Sequence, residues 1–270
     1  MRYYISGMKL YCLVLNYKCE EDTKRCVRAL KSSDLPRGSK ILVLDNSKKN
    51  LGFAGGNNIG VKKALKGGAS HVLIINPDVT VGKTFFKPLL DEMKKNNDLG
   101  IVAPAIRYVV GKKIFYGLEG NMNWRTAKPT HVSLSKLPVS KDFRRGEFVT
   151  FACALIKTEV FKKIGLIDER YFMYLEDVDF CLSTRKAAFD VGVTTRAIVD
   201  HKQSASFKKP TDKLKISFVS HLKFIWKWMK FPRNVIPLGY QLLFYPYLYC
   251  LWSIQSFRHR QGSVIPTETK

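Results

Sequence analysis

The chain has 270 residues, enough for one large domain or one domain with an appendage. Hydrophobic residues make up 46% and charged residues 25%, which excludes a disordered or fibrous chain. Lys and Arg total 46 against 22 Asp and Glu, a net charge of +24, so the favoured partners are polyanionic: nucleic acid, anionic lipid headgroups or phosphorylated substrates.

After Arg2, residues 10–15 form a short apolar run that continues into Asn16 and Tyr17 with no small-residue cleavage site. It reads as a first strand rather than a signal peptide. Residues 20–30 place Cys26, Val27 and Leu30 at helical spacing behind acidic residues, which the helix dipole favours. The run 40–44 is a second strand ending at Asp45-Asn46-Ser47. A Gly- and Asn-rich turn follows, then a helix through Val61, Ala64 and Leu65, stopped at Gly67-Gly68. Residues 71–75 form a third, buried strand ending at Asn76-Pro77-Asp78. Phe85, Leu89, Leu90 and Met93 mark another helix, and residues 100–103 a fourth strand. This alternation predicts a parallel sheet with right-handed crossovers, whose ligands bind beyond the carboxyl ends of the strands.

A hairpin is predicted around Gly111, inside a less regular stretch over 104–145. Residues 148–156 read as a buried strand, Thr158 as the cap of a short helix over 159–164, 176–188 as a helix opening on acids, and 191–199 as a last strand. Beyond about 210 the chain mixes Lys with bulky aromatics, and residues 235–257 carry no formal charge before Arg258-His259-Arg260. The six cysteines, Cys12, Cys19, Cys26, Cys153, Cys181 and Cys250, show no C-x-x-C spacing. That argues against a zinc site and for free thiols in a reducing compartment.

Three constellations carry chemistry. Asp45-Asn46-Ser47 and the segment 50–60 combine Gly, Phe and Asn at a strand's carboxyl end. Glycines there permit close approach of backbone, and a helix start points free N–H groups at an anion. The segment is neither a dinucleotide fingerprint, which follows the first strand, nor a Walker A loop. Asn76-Pro77-Asp78 sets a carboxylate on a rigid strand end, where it suits a hard divalent cation or simply forms a turn. Glu176, Asp177 and Asp179 follow Phe172-Met173-Tyr174; acids so close raise one another's proton affinity, as a general base requires, or merely favour a helix start.

Taken in order, these motifs, with Ala152-Cys153-Ala154-Leu155-Ile156 and Phe161-x-x-Ile-Gly165-x-x-Asp-Glu169, resemble the family-2 glycosyltransferases over residues 9–207. The rhamnosyltransferase-like enzymes of bacterial surface polysaccharides are the most similar branch. The resemblance implies a GT-A fold, a three-layer α/β/α Rossmann-like domain with a mixed central sheet, over 1–210, and an inverting transfer from a nucleoside-diphosphate sugar. It implies Asp177 as catalytic base, with Glu176 and Asp179 shaping the pocket or holding the acceptor. It implies donor contacts from Asn16, Asp45, Asn46, Ser47, Asn50, Gly52, Phe53, Gly55, Gly56, Asn57, Asn58 and Asn76. Asp78, the last residue of the family's acidic motif, and His201 would hold Mg²⁺ or Mn²⁺; Asn76 replaces the first acid of that motif.

Residues 211–270 are expected to form a helical segment that associates with a membrane. The uncharged stretch is long enough to span a bilayer, but its prolines, glutamines and tyrosines favour the interface, with the bases of 213–233 on anionic headgroups; a buried helical hairpin or a dimer contact is the alternative. The expected setting is therefore the cytoplasmic face of a membrane, peripheral or monotopic, with a saccharide or lipid-linked acceptor. No nucleic-acid partner is expected. A nucleic-acid-binding protein would explain the charge but not the acidic cluster. A sugar nucleotidyltransferase would need an Arg-containing Gly-rich loop after the first strand, and Asn16-Tyr17-Lys18 does not supply it. A non-catalytic relative is the third alternative.

Overall fold

A computed structural model describes residues 8–137, 142–202 and 210–261, with backbone alone for 210 and 252–261. Arg2, part of the 104–145 excursion, and the side chains of Arg258 and Arg260 fall outside the described residues. The chain divides into two compact units, one from Met1–Met122 and Pro129–Ser204, the other from Asn123–Lys128 and Ala205–Lys270.

The first unit opens β1 (Leu10–Asn16), α1 (Glu20–Ser32), β2 (Lys40–Asp45), α2 (Gly52–Lys66), β3 (His71–Ile75), β4 (Val79–Val81) and α3 (Phe86–Lys95). It continues through β5 (Leu99–Val110), β6 (Lys113–Asn123), β7 (Lys128–Leu134), β8 (Phe143–Arg145), β9 (Cys153–Lys157), α4 (Thr158–Ile164), α5 (Glu176–Lys186) and β10 (Asp190–His201). The main sheet runs β2-β1-β3-β9-β5-β10-β4. β1 pairs parallel with β2 and β3, and β5 parallel with β10. The sheet is nevertheless mixed, because β9 lies antiparallel between β3 and β5, and β4 antiparallel on β10. The four strands of the predicted alternation, β1, β2, β3 and β5, all run parallel, and the mixed sheet that the family resemblance implies is the one observed. The direction of β9 could not be read, because a strand buried on both faces has the same apolar run whichever way it points.

Leu10, Cys12 and Val14 from β1, Leu73 and Ile75 from β3, and Phe85, Phe86 and Leu89 around α3 form one packed core. On the opposite face α2 comes close to the sheet through its glycines. A Cβ on Gly56 would lie 2.6 Å from Leu15, and one on Gly60 2.7 Å from Leu44. The predicted turn over 50–58 is therefore helix from Gly52 onward. Its glycines admit the strands beneath rather than a ligand. The expected strand over 148–156 is likewise shorter: Phe148 makes one bridge to Gly120, and regular pairing begins at Cys153. Thr158 caps no helix; its hydroxyl donates to the carbonyls of Ala69 and Ser70.

The second unit contains α6 (Pro210–Trp228) and α7 (Val235–Gln261), and the short segment Asn123–Lys128. Gln241 of α7 donates to the carbonyl of Thr126 at 2.8 Å, and Trp124 stacks on Phe224 of α6 with centroids 6.2 Å apart. Among the described residues no helix is long and apolar enough to cross a membrane. All six cysteines are free.

Candidate active site

Four strand ends converge where the topology places a ligand. Asn16 closes β1 and Asp45 closes β2, paired in register. The β3 strand runs into Asn76, and Val79, next to Asp78, pairs with His201 of β10. Asp78 and His201 thus come together: Nε2 of His201 lies 3.2 Å from Oδ1 of Asp78, and both side chains are mostly buried.

The acidic cluster arrives by a different route. Tyr174 and Leu175 adopt left-handed backbone, φ of +71° and +69°, just before α5. Such strain in non-glycine residues persists only where the surroundings impose it. It turns the chain so that Glu176 and Asp177 open the helix, whose dipole favours an anion there. Asp177 accepts from Val178 N–H at 2.8 Å and from Phe151 N–H at 3.3 Å. Next to Phe151, the carbonyl of Ala152 accepts from the backbone N–H of Asn76 at 2.8 Å. Two hydrogen bonds and one peptide therefore couple the Asn76-Pro77-Asp78 turn to Asp177.

Burial pushes Asp177 above the ordinary carboxylate range, opposed by the charge of His131 and by its N–H donors. Glu176 is pushed further, by burial and by the Asp177 carboxylate, and its Oε2 has no hydrogen-bond partner. Both carboxyls therefore hold protons more tightly than solvated ones, Glu176 the more so. Burial also raises Tyr174 to about 12, with Glu176 adding to the effect. Asp179 is buried and accepts from Tyr171 OH at 3.4 Å, so it supports the turn rather than facing the pocket.

The donor-side residues divide in two. Asp45, Ser47, Asn50, Phe53 and Asn76 keep exposed or half-exposed side chains. The Asp45 carboxylate is held low, first by the Ser47 N–H. The others turn inward. Asn16 accepts from Cys19 N–H and Thr23 OH, and Asn46 binds Leu51 N–H, the Gly52 carbonyl and Asn50. Gly52 donates to Asn50 and Phe53 to the carbonyl of Phe172 at 2.7 Å, so the leading N–H groups of α2 already have partners within the protein. The expected open helix N-terminus is corrected accordingly. Gly55 and Gly56 are buried in the helix. Asn58 binds both backbone groups of Ile167 and the Glu169 carboxylate, while Asn57, also buried, donates to Phe53. Asn58 thus holds α2 against the chain that leads to the acids, whereas the Asn57 bond lies within α2 and the buried Oδ1 of Asn57 has no hydrogen-bond partner among the described residues.

Sequence reasoning missed His131. It lies on β7 in the irregular stretch, its ring edge-on to Phe148 at 4.9 Å, and its charge acts on Asp177. No spacing in the sequence marks it.

Asp78 and His201 supply one hard oxygen and one imidazole. Among the described residues no group of three or more His, Cys, Asp or Glu gathers into a metal cage. Two protein donors fit a cation that takes its remaining ligands from diphosphate and water.

No protein-family model matches the chain. The low-salt glycan biosynthesis hexosyltransferase Agl10 of Haloferax volcanii is 25% identical over 207 residues, 68% of this chain and 64% of that one. The N-acetylglucosaminyl-diphospho-decaprenol L-rhamnosyltransferase of Mycobacterium tuberculosis is 28% identical over 162 residues, 53% of this chain and 50% of that one. In sequence the chain is thus similar to glycosyltransferases, in line with the family-2 resemblance of its motifs. It spans about half to two thirds of the length of these glycosyltransferase relatives. The fold agrees: GalNAc-T7, solved with UDP, GalNAc and Mn²⁺, matches with a TM-score of 0.59 over 78% of this chain and 47% of that one, at 15% identity.

Proposed function

We propose that the protein is an inverting glycosyltransferase that moves a sugar from a nucleoside-diphosphate donor to a hydroxyl of a saccharide acceptor, lipid-linked as in the mycobacterial relative. The observation that carries this reading is the Asp177 carboxylate at the start of α5, held by the N–H groups of Val178 and Phe151 and joined through Ala152 to the turn that bears Asp78. A carboxylate with raised proton affinity is a stronger base than a solvated one. In the reaction, Asp177 takes the acceptor's hydroxyl proton as that oxygen forms its bond to the anomeric carbon. The bond from that carbon to the diphosphate breaks, and its electron pair leaves with the nucleoside diphosphate, so the configuration inverts. Burial favours the neutral form of Glu176, which adds no second negative charge to the path of an anionic donor. Asp45, Ser47, Asn50, Phe53 and Asn76 are the groups left accessible to a donor at the strand ends. Asp78 and His201 would hold Mg²⁺ or Mn²⁺, which when bound supplies Lewis-acid stabilisation of the departing diphosphate.

The second unit is read as lying in a membrane surface, at the cytoplasmic face. The support is α7: Ile236, Leu243 and Tyr247 are 60%, 78% and 62% exposed. Their spacing of seven and four puts them on one stripe.

The test is Asp177→Asn, assayed for transfer from a panel of nucleoside-diphosphate sugars and for donor binding by thermal shift. Transfer is expected to fall about 10²–10⁴-fold with the donor-induced shift retained. Turnover near wild type removes Asp177 from the role.

A further inference from the structure

The second unit contains a cavity that the transfer reaction does not use. It has a volume of about 880 Å³ and opens at the elbow between α6 and α7, where Met229–Arg233 meet the segment around Trp124. One wall is aromatic: Trp124 and Trp228 lie with centroids 6.5 Å apart, and Phe224 stacks on Trp228 at 6.1 Å. The hydrogen bond from Gln241 to Thr126 ties that wall to α7. Three cations, Arg125, Lys230 and Arg233, line the cavity, all exposed, and no acidic residue does. Phe231, 81% exposed, stands between two of those cations in sequence, and Ile236 continues the apolar lip onto the α7 stripe.

We propose that this cleft is a headgroup site for an anionic phospholipid, a reading that rests on the second unit lying at a membrane surface. Two guanidinium forks and an ammonium suit a phosphate, which arginine can bind in bidentate fashion. The aromatic wall suits the interfacial zone, and Phe231 and Ile236 reach toward the acyl chains. The charge pattern selects the occupant. A second copy of this chain, docked isologously, would bring like cations together. A polynucleotide would neutralise the cations but leave Phe231, Ile236 and Leu243 in water. Only a lipid satisfies both halves of the surface. From 210 to 261 the sequence carries eight Lys and Arg and one acid, Asp212, so the surroundings reinforce the preference.

The test is co-sedimentation of the full chain with vesicles of phosphatidylcholine alone or mixed with phosphatidylglycerol. Arg125→Glu with Arg233→Glu is compared with an equal charge change on α3, Lys94→Glu with Lys95→Glu. Wild type is expected on the phosphatidylglycerol vesicles only. The arginine pair should lower its partition more than about tenfold, while the α3 pair changes it less than about threefold. Phe231→Ser, which keeps every charge, should weaken binding at raised salt, where the apolar contribution dominates. Equal losses from both charge pairs would overturn the cleft and leave the membrane reading standing, whereas no vesicle binding by wild type overturns both. Retention on single-stranded RNA governed by the same arginines, without vesicle binding, would make the occupant a polynucleotide and end the proposal.

Discussion

Glu176 and Asp177 are neighbours in sequence with unlike environments, and the difference separates their roles. Because burial favours the neutral form of Glu176, Glu176→Gln should leave kcat within about threefold of wild type and the acid limb of the pH–rate profile in place. It should also change stability with a definite sign. The folded protein holds the Glu176 proton to higher pH than the unfolded chain does, so wild type loses stability as pH rises above the ordinary Glu range. The amide lacks this loss. Glu176→Gln is therefore expected to melt higher than wild type at neutral pH and equally at acid pH, as followed by circular dichroism. A lower melting temperature at neutral pH would mean that Glu176 is ionised in the fold. His131 acts in the opposite direction, since its positive charge favours the Asp177 anion. His131→Gln should move the acid limb of kcat/KM to higher pH, and an unmoved limb would remove His131 from the site. At this scale the candidate acids, Asp78 and His201 came from motif order and the resemblance it carries, and the fold brings Asp78 and His201 together. His131 was not, because a single imidazole in an irregular stretch carries no spacing signal.

At the scale of elements, the decisive contact is α2 against the chain that precedes α5. Gly52 has φ +72°, and a Cβ there would lie 2.2 Å from the carbonyl oxygen of Phe172. That carbonyl also accepts the Phe53 N–H. Gly52→Ala therefore combines an unfavourable backbone with a clash. It should cost about 1–3 kcal/mol in urea unfolding and weaken donor binding along with it. A midpoint equal to wild type would show that Phe172 moves away freely. The cap of α3 is non-local as well: it is Asp34, whose carboxylate accepts from Phe86 and Lys87 N–H at 2.7 and 2.8 Å. Helix positions were readable from apolar spacing, and the acids marked the starts of α1 at Glu20 and α5 at Glu176. The start of α3 was not readable, because its capping carboxylate comes from a distant part of the chain.

For the whole molecule, the +24 charge is unevenly used. In the first unit several bases pair with acids, as Arg144 does with buried Glu119 at 2.6 Å. The stretch 210–261 holds its bases with one acid among them. Association with anionic vesicles should accordingly fall as salt rises toward 1 M, where the screening length drops to about 3 Å. Binding measured by flotation that does not change with salt would place the attraction in the apolar stripe alone. The sequence by itself determined the strand–helix alternation, the strand ends as the place of a candidate site and the residue types proposed for its chemistry, since apolar period and motif order are local properties. Only the tertiary structure decided the direction of β9, the burial that separates Glu176 from Asp177, the approach of His131, and the cleft at the α6–α7 elbow. Direction, dielectric and proximity arise between segments far apart in the chain, and no window of sequence contains both partners.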